Sequence, residues 1–286
     1  EKHLDLEAQV ASRESQLPAP VMVQVSDAER EIVQHKVPAK IVISGSALGL
    51  PGQRELFADD ALEAMFNGEN MILKLSEEQL QAQVDNRIVR LVKHEDGSGE
   101  MVEVVDKSEV VKLAGRTEGI DLAGRWGVPD RLVQALDETS RMAFAAGIDA
   151  LRDAGLPLIP RYRTTRNGGK ITIGWQLPDE IGEGTGVIFA SAFAGKDEVI
   201  EQVKARYTDS DFKFDHRFLL KILGMANARF AEYIGARGPN MQINVACSST
   251  TAAMTMAEDW IEMGRCERVI VLAADNAGGD TLNEWL

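Results

Sequence analysis

Residues 235–276 read GARGPNMQINVACSSTTAAMTMAEDWIEMGRCERVIVLAADN, and this stretch carries the clearest indication of the fold. Its apolar segments at 241–246 and 268–274 predict two buried strands. Between them, residues 248–263 carry apolar side chains at helical spacing, and Gly264 follows as a usual helix terminator. A strand, a helix and another strand in succession predict an α/β arrangement with parallel strands.

The same alternation extends over most of the preceding chain. TGVIFASAFAG (185–195) is typical of a strand buried on both faces, and ITIGWQLP (171–178) predicts a strand before it. The segment EDGSGE, within residues 87–106, predicts a hairpin between two strand-like runs. Helical spacing of apolar residues predicts helices near 55–68, 132–151, 196–207 and 218–235. We therefore predict an α/β fold with a mostly parallel, buried sheet.

The composition of the chain changes at residue 40. Residues 1–39 are polar and charged, and the prolines in QLPAP and KVPAK interrupt any helix, which predicts a linker or flanking segment. From Lys40 the sequence KIVISGSALGLPG (40–52) turns β-branched and then glycine-rich, which predicts a buried strand followed by a loop. We therefore assign residues 1–39 to a flank and residues 40–286 to one folded portion.

The charge and composition of the 286-residue chain exclude several functional classes. A net charge of −14 without any basic block argues against a nucleic-acid partner. No apolar run reaches the ~20 residues that span a bilayer, and the start lacks the apolar core of a signal peptide, so we expect a cytoplasmic protein without membrane contact. Four scattered histidines, with no CxxC or HExxH pattern, argue against a metal site.

Cys247 is the candidate reactive group, because it lies between a predicted strand and a predicted helix. Backbone N–H groups and the positive end of the helix dipole at such a position favour the nucleophilic thiolate. Ser248, Ser249 and Thr250 keep the first turn small and leave room for a substrate beside the sulfur. A small buried hydrophobe would also fit this position, so the residues alone leave both roles open. Cys266, in the link GRCERV, is predicted to be structural.

Residues 235–276 resemble the active-site region of the β-ketoacyl synthases, the condensing enzymes of fatty acid and polyketide synthesis. The shared pattern is G-x-x-G-P, a strand, A-C-S-S, an alanine-rich helix, a short Gly-x-Cys link and an apolar strand. Weaker similarities come earlier, in the family's order: IVISGSALGLPG, a helix with Asp137 and Arg141 that closes with DAG, TGVIFASAFAG, and NARFAEYIGARGP with Arg229. The resemblance extends from Lys40 to Leu286.

The resemblance implies a thiolase-like fold, in which a mixed, mostly parallel sheet carries helices on both faces, assembled as a homodimer. Cys247 would take an acyl group from the phosphopantetheine thioester of an acyl carrier protein, with no cofactor bound directly. Malonyl-carrier protein would then lose carbon dioxide, and its carbanion would attack the acyl-enzyme. By the family pattern, the backbone N–H of Cys247 would be one oxyanion donor.

Two substrate-binding residues follow from the same resemblance. Phe193 falls where the family places a side chain in the wall of the acyl pocket. Met225 lies near the start of a helix that approaches the cysteine. Ordinary core packing explains each of these residues equally well.

The sequence also departs from the family. The family's two catalytic histidines, its lysine and its second oxyanion loop belong to a later half, and none of the four histidines here matches them. We therefore expect this chain to need the C-terminal half of a ketosynthase, or other synthase domains, and to be inactive alone. Ala273 and Ala274 replace the glycine pair usual after the nucleophile's helix. The long hairpin at 87–106 and the flank at 1–39 resemble a domain of a multidomain polyketide or polyunsaturated-fatty-acid synthase.

Two other functions remain open from the sequence. One is a thiolase-fold acyltransferase that loads or hydrolyses acyl groups without elongating them. The other is a catalytically silent half that serves as a dimer scaffold, like a chain-length-factor partner. Cys247 argues against the second, because such partners typically lack the cysteine.

Overall fold

In a computed structural model of the protein, the residues that can be described are 41–52, 55–117, 119–214 and 216–283. The predicted flank at 1–39 lies outside them. The helices are α1 Ala61–Phe66, α2 Glu77–Asp85, α3 Leu122–Trp126, α4 Asp130–Val133, α5 Glu138–Asp153, α6 Asp179–Glu183, α7 Lys196–Thr208, α8 Phe218–Ile222, α9 Ala226–Ile234, α10 Ser249–Glu262 and α11 Asp280–Asn283. The strands are β1 Leu73–Lys74, β2 Val89–Lys93, β3 Gly99–Glu103, β4 Leu113–Ala114, β5 Ile159–Thr164, β6 Lys170–Gln176, β7 Thr185–Ala190, β8 Asn240–Ile243 and β9 Arg268–Ala273.

A three-stranded parallel sheet, in the order β8-β7-β9, forms the centre of the described residues. In its register Ile188 of β7 lies opposite Met241 of β8 on one side and Val271 of β9 on the other. Every residue of β7 is buried, as the unbroken apolar sequence predicts for a central parallel strand. The helix α10 therefore connects two strands that are separated in the sheet by β7.

Side chains of β7 alternate between two cores. Val187 and Phe189 face the larger core, which contains α5 and α9, whereas Ile188 and Ala190 face a smaller core formed with α10. Strand side chains point alternately to opposite faces, so one strand serves both layers. The sheet therefore has helices on both faces, as predicted.

The larger core is close-packed where α5 crosses α9. The rings of Phe144 and Phe230 meet edge to face, with their centroids 5.2 Å apart. A Cβ at Gly147 would lie 2.5 Å from Phe230 and 2.6 Å from Leu272, so only glycine allows this approach. Aromatic packing at this distance adds roughly 0.5–1.5 kcal/mol beyond the burial of area.

The described residues also form three antiparallel strand pairs. The predicted hairpin at 87–106 is confirmed as β2 and β3, with Leu91 opposite Met101. The strand predicted at 171–178 corresponds to β6, which pairs antiparallel with β5, a strand that the sequence analysis missed. The third pair joins β1 and β4.

The buried strand predicted at the β-branched start of segment 40–52 is wrong, because the described residues 41–50 form no regular structure. Val42 and Ile43 are 76% and 75% exposed, so the segment is not buried either. The N–H of Ser46 donates to Oδ2 of Asp153 at 2.8 Å, and a Cβ at Gly45 would lie 2.4 Å from the carbonyl oxygen of Ala150. The segment is therefore held at its glycine by the end of α5, instead of pairing with a strand.

Two predicted helices are each divided in the structure. The helix predicted at 132–151 becomes α4 and α5, with Asp137 as the N-cap of α5 in an extended conformation. The helix predicted at 218–235 becomes α8 and α9, separated at Gly224, whose φ is +55°. Apolar periodicity continues through both breaks, so it does not reveal where the backbone leaves the helical conformation.

Candidate functional site

Cys247 lies exposed in a tight turn between β8 and α10, as the sequence predicted for a strand-to-helix junction. The residue before it, Ala246, has a φ of +48°. The left-handed conformation costs a non-glycine residue about 1–2 kcal/mol. Strain of this kind persists only where surrounding contacts enforce it, and it clusters at functional sites.

Ser249 supplies the contacts that hold this turn. Its buried hydroxyl accepts a hydrogen bond from the N–H of Val245 at 2.8 Å and donates to the carbonyl of Ala246 at 2.7 Å. The side chain of Asn244 accepts from the N–H of Ala246 at 3.1 Å. These bonds fix the backbone on both sides of Ala246, and they present Cys247 at the surface.

A cleft of about 250 Å³ opens beside Cys247. Most of its wall consists of small side chains, which leaves space next to the sulfur. Ala273 and Ala274, which replace the family's usual glycine pair, are part of this wall. The complete lining is Ala190, Ala246, Cys247, Ser249, Thr250, Ala273, Ala274 and Asp275.

Asp275, directly after β9, is a polar group of the site that the sequence analysis did not single out. Its Oδ1 accepts from the hydroxyl of Ser191 at 2.7 Å and from the N–H of Phe193 at 2.8 Å. The N–H of Ala192 donates to the same carboxylate, at 3.1 and 3.0 Å from its two oxygens. The carboxylate thus accepts hydrogen bonds from three successive residues of the turn that follows β7.

The turn after β7 is also tied to the cysteine turn. The amide of Asn244 donates to the carbonyl oxygen of Ala192 at 3.3 Å. The hydroxyl of Ser191 accepts from the N–H of Ala194 at 2.9 Å. The residues that end β7, β8 and β9 therefore form one hydrogen-bonded assembly at the carboxyl edge of the sheet, where parallel strands bring their ends together.

A second carboxylate supports the end of that turn. Asp137 is buried, and it accepts from the hydroxyl of Ser140 and, at 3.3 Å, from the N–H of Gly195. Gly195 has a φ of +75° and begins α7. Of the other residues in register with the family, Arg141 pairs with Glu138 at 3.2 Å. Arg229 pairs at the same distance with a glutamate of its own helix, Glu232.

The two predicted substrate-binding residues do not line the cleft. Phe193 is half-buried in the turn after β7, and Nζ of Lys196 lies 4.7 Å from the centre of its ring. The backbone N–H of Phe193 donates to Asp275, which lines the cleft, whereas Phe193 itself is not part of the lining. Met225 is 36% exposed and is the N-cap residue of α9. The pocket roles of Phe193 and Met225 remain predictions.

An acidic group lies next to this assembly, at the start of α7. Burial raises the pKa of Asp197 to about 6. The side chain of Asn276, which donates to Asp197 at 3.4 Å, opposes this rise in pKa, whereas the charges of Asp137, Glu201 and Glu138 add to it. Asp197 therefore keeps its proton to a higher pH than an ordinary aspartic acid does.

The second cysteine differs from the first in its surroundings. Cys266 is buried in the smaller core, between α10 and β9, as predicted for a structural residue. Burial raises the pKa of its thiol, while the backbone of Gly186 and the charge of Arg268 act in the opposite direction. A thiol of this kind is a poor nucleophile.

Within the described ranges, no group of three or more histidine, cysteine, aspartate or glutamate side chains is placed to hold a metal ion. The helices of the same ranges include none that is both long and apolar enough to cross a bilayer. Two of the four histidines, His94 and His216, are among the described residues, and neither lines the cleft.

One signal in the sequence pointed to the missed residues. Asp275 and Asn276 directly follow the strand predicted at 268–274, and Ser191 lies in the small-residue end of the strand predicted at 185–195, directly after the observed end of β7. Polar residues at the carboxyl ends of neighbouring parallel strands meet at one edge of the sheet. The strand order places β9 beside β7, and this order was not available from the sequence.

Comparisons with known proteins give the family of the chain. Residues 39–281 match the family model described as "Beta-ketoacyl synthase, N-terminal domain". The chain is similar to the hybrid PKS-NRPS synthetase TAS1 of Gloeophyllum trabeum, with 26% identity over 145 residues, which cover 51% of this chain and 8% of that protein.

Two solved structures are also similar to this chain. A beta-ketoacyl synthase from Burkholderia phymatum STM815 has 17% identity and a TM-score of 0.48, covering 79% of this chain and 44% of that one. The ishigamide ketosynthase/chain length factor has 17% identity and a TM-score of 0.40, covering 69% and 49%. The chain thus spans less than half the length of each of these three proteins.

The family model covers far more than half of the chain, and it includes the strand, the cysteine turn and the helix described above. The chain therefore belongs to the β-ketoacyl synthase family and carries that family's N-terminal domain, and its described residues have the predicted α/β class of fold.

Proposed function

We propose that the protein is a β-ketoacyl synthase in which Cys247 is the acyl-accepting nucleophile. The observation that carries this proposal is the position of Cys247, exposed in a small-walled cleft directly after the strained Ala246. A thiol at such a junction meets the requirements of covalent acyl transfer, because it is accessible and rigidly placed.

The first step would transfer an acyl group from a thioester to the enzyme. The sulfur of Cys247 attacks the carbonyl carbon of a phosphopantetheine thioester, and a new carbon–sulfur bond forms. The bond between that carbon and the pantetheine sulfur breaks, and the pantetheine thiol leaves with the proton. The backbone N–H of Cys247 would stabilise the developing oxyanion, as a fixed dipole requires no reorganisation during the reaction.

The second step would be condensation with a malonyl thioester on an acyl carrier protein. Loss of carbon dioxide generates a carbanion, which attacks the acyl carbon on Cys247 and releases the cysteine sulfur. The family's histidines would serve this step, and the proposal places them in the C-terminal half of the ketosynthase. We also propose a homodimer, as in the family, working with other synthase domains in the cytoplasm.

Mass spectrometry after incubation with an acyl-pantetheine thioester tests the first step. We expect an acyl adduct on the peptide that contains Cys247, and no adduct in the Cys247→Ala variant. Cys266→Ala is the matched control, and it should retain the adduct because Cys266 is buried. Folded protein that is properly assembled with the C-terminal half and forms no adduct would refute the enzymatic proposal and favour a silent scaffold.

Addition of a malonyl thioester to the acylated protein, assembled with the C-terminal half of the ketosynthase that supplies the histidines, tests the second step. Release of carbon dioxide together with an extended β-ketoacyl product supports a condensing enzyme. Stable acylation followed only by transfer or hydrolysis, without carbon dioxide release, contradicts condensation and favours a non-elongating acyltransferase.

A further inference from the structure

The carboxylate of Asp275 organises the segment that borders the reactive cysteine. It accepts hydrogen bonds from three successive residues, the hydroxyl of Ser191 and the N–H groups of Ala192 and Phe193, at 2.7–3.1 Å. Hydrogen bonds to an ionised acceptor are roughly twice as strong as those between neutral groups. A neutral amide in the same place offers one acceptor oxygen, and its NH₂ group faces the donors of the turn.

The same carboxylate is also in contact with the cleft. Asp275 is exposed, and it lines the space beside Cys247 together with Ala273 and Ala274. A direct chain of hydrogen bonds runs from Asp275 to Ala192, from Ala192 to Asn244, and from Asn244 to the N–H of Ala246.

The packing of the sheet does not require these bonds. The strand β7 is packed through its own side chains Val187, Ile188 and Phe189, which are fully buried and lie before the turn. The bonds to Asp275 begin only at Ser191, beyond the end of the strand. Their consequence is local, because they determine the conformation of the turn, which Asn244 links to Ala246 in the wall of the cleft.

We propose that Asp275 is a positioning residue for acyl transfer, which fixes the turn Ser191–Phe193 and, through Asn244, holds Ala246 in the wall of the cleft beside Cys247. The inference rests on the proposed function, since it assigns the cleft to the acyl chain next to the thioester. Without the carboxylate the turn relaxes, and the cleft no longer discriminates between short and long chains. Misplacement of a bound substrate by about 1 Å costs up to ~100-fold in rate.

The test compares two alkylating reagents of equal reactivity and different size. Cys247 is treated with iodoacetamide and with a long-chain N-alkyl iodoacetamide, and the ratio of the two rates reports the shape of the cleft without any enzymatic step. In Asp275→Asn we expect this ratio to shift by at least about threefold, with the iodoacetamide rate within about twofold of wild type. Asp259→Asn, an exposed acid on α10, is the matched control and should leave both rates unchanged.

A second variant guards against a folding defect in Asp275→Asn. Ser191→Ala removes one of the donors while the carboxylate stays, so its rate ratio should shift in the same direction by a smaller factor. A ratio equal to that of wild type in both variants would overturn the proposal. A parallel fall of both rates with a lowered Tm would also overturn it, because that pattern indicates a purely structural role.

Acylation is measured separately, so that the two proposals can fail independently. If the wild-type protein forms an acyl adduct, Asp275→Asn should change the preference between short and long acyl-pantetheine thioesters by about tenfold. If the wild-type protein forms no adduct while the alkylation ratio still shifts, the proposed function is refuted, and only the effect of Asp275 on the shape of the cleft stands.

Discussion

The two faces of the central sheet differ in how completely they are covered. On one face α5 and α9 pack against β7 and β9, and Phe144, Phe230 and Ile234 are fully buried. On the other face α10 buries a stripe with Ala253 and Trp260, while its outward side chains remain open to solvent. The first face therefore stabilises the fold, whereas the second face positions a reactive group.

This difference explains where the thiol could be placed. A nucleophile needs access to its substrate, and the helix that leads away from Cys247 is covered on one side only. The rigid part of the site lies underneath, because Ser249 and Ala253 are buried against the sheet. The buried side of α10 thus holds the backbone next to Cys247 rigid, while the other side leaves the sulfur exposed.

The largest expected effect comes from opening a cavity in the well-covered face. Phe230→Ala should lower the free energy of unfolding by about 3–5 kcal/mol, because a fully buried aromatic ring leaves a void that the core cannot fill. Met254→Ala is the matched control on α10, where the side chain is 47% exposed, and it should change the free energy by no more than about 0.5 kcal/mol.

Urea unfolding at equilibrium measures both variants. Equal losses of stability in Phe230→Ala and Met254→Ala would contradict the difference between the faces, since they would mean that the outward side of α10 is packed as tightly as the larger core.

An intermediate effect separates the two cysteines at the ends of α10. In the folded protein, iodoacetamide should modify Cys247 roughly 100-fold faster than Cys266, because the buried thiol reacts only after a local opening. Peptide mapping by mass spectrometry over a time course gives both rates in one sample. In denaturant the two rates should converge, and comparable rates without denaturant would show that the smaller core does not protect Cys266.

The smallest effect concerns the cysteine turn. Ser249→Ala removes both hydrogen bonds of a buried hydroxyl and should lower the free energy of unfolding by about 1–3 kcal/mol. Ser248→Ala provides the control, because Ser248 is exposed and its side chain makes no capping hydrogen bond. Thermal unfolding of the pair measures the difference, and a Tm for Ser249→Ala equal to that of Ser248→Ala would show that the turn does not depend on this hydroxyl.

Local sequence predicted a large part of the fold. Three elements have a sequence pattern that extends over the whole element and predicts it directly: the hairpin at 87–106, the central strand at 185–190 and the helix after Cys247. The prediction failed at the β-branched start of 41–50, which pairs with no strand among the described residues, and at 159–164, where the pairing partner determines the strand. Strand pairing depends on two segments that are apart in the sequence, so the pattern of one segment alone does not predict it.

By itself, the sequence determined the α/β class, the strand-to-helix position of Cys247 and the buried state of Cys266. Only the tertiary structure decided that β9 lies beside β7, and thus that Asp275 reaches the turn at Ser191. Periodicity and turn preferences act between residues that are near in the chain, so sequence patterns report them directly. The site joins residues 84 positions apart through hydrogen bonds that form only after the sheet has brought its strand ends together.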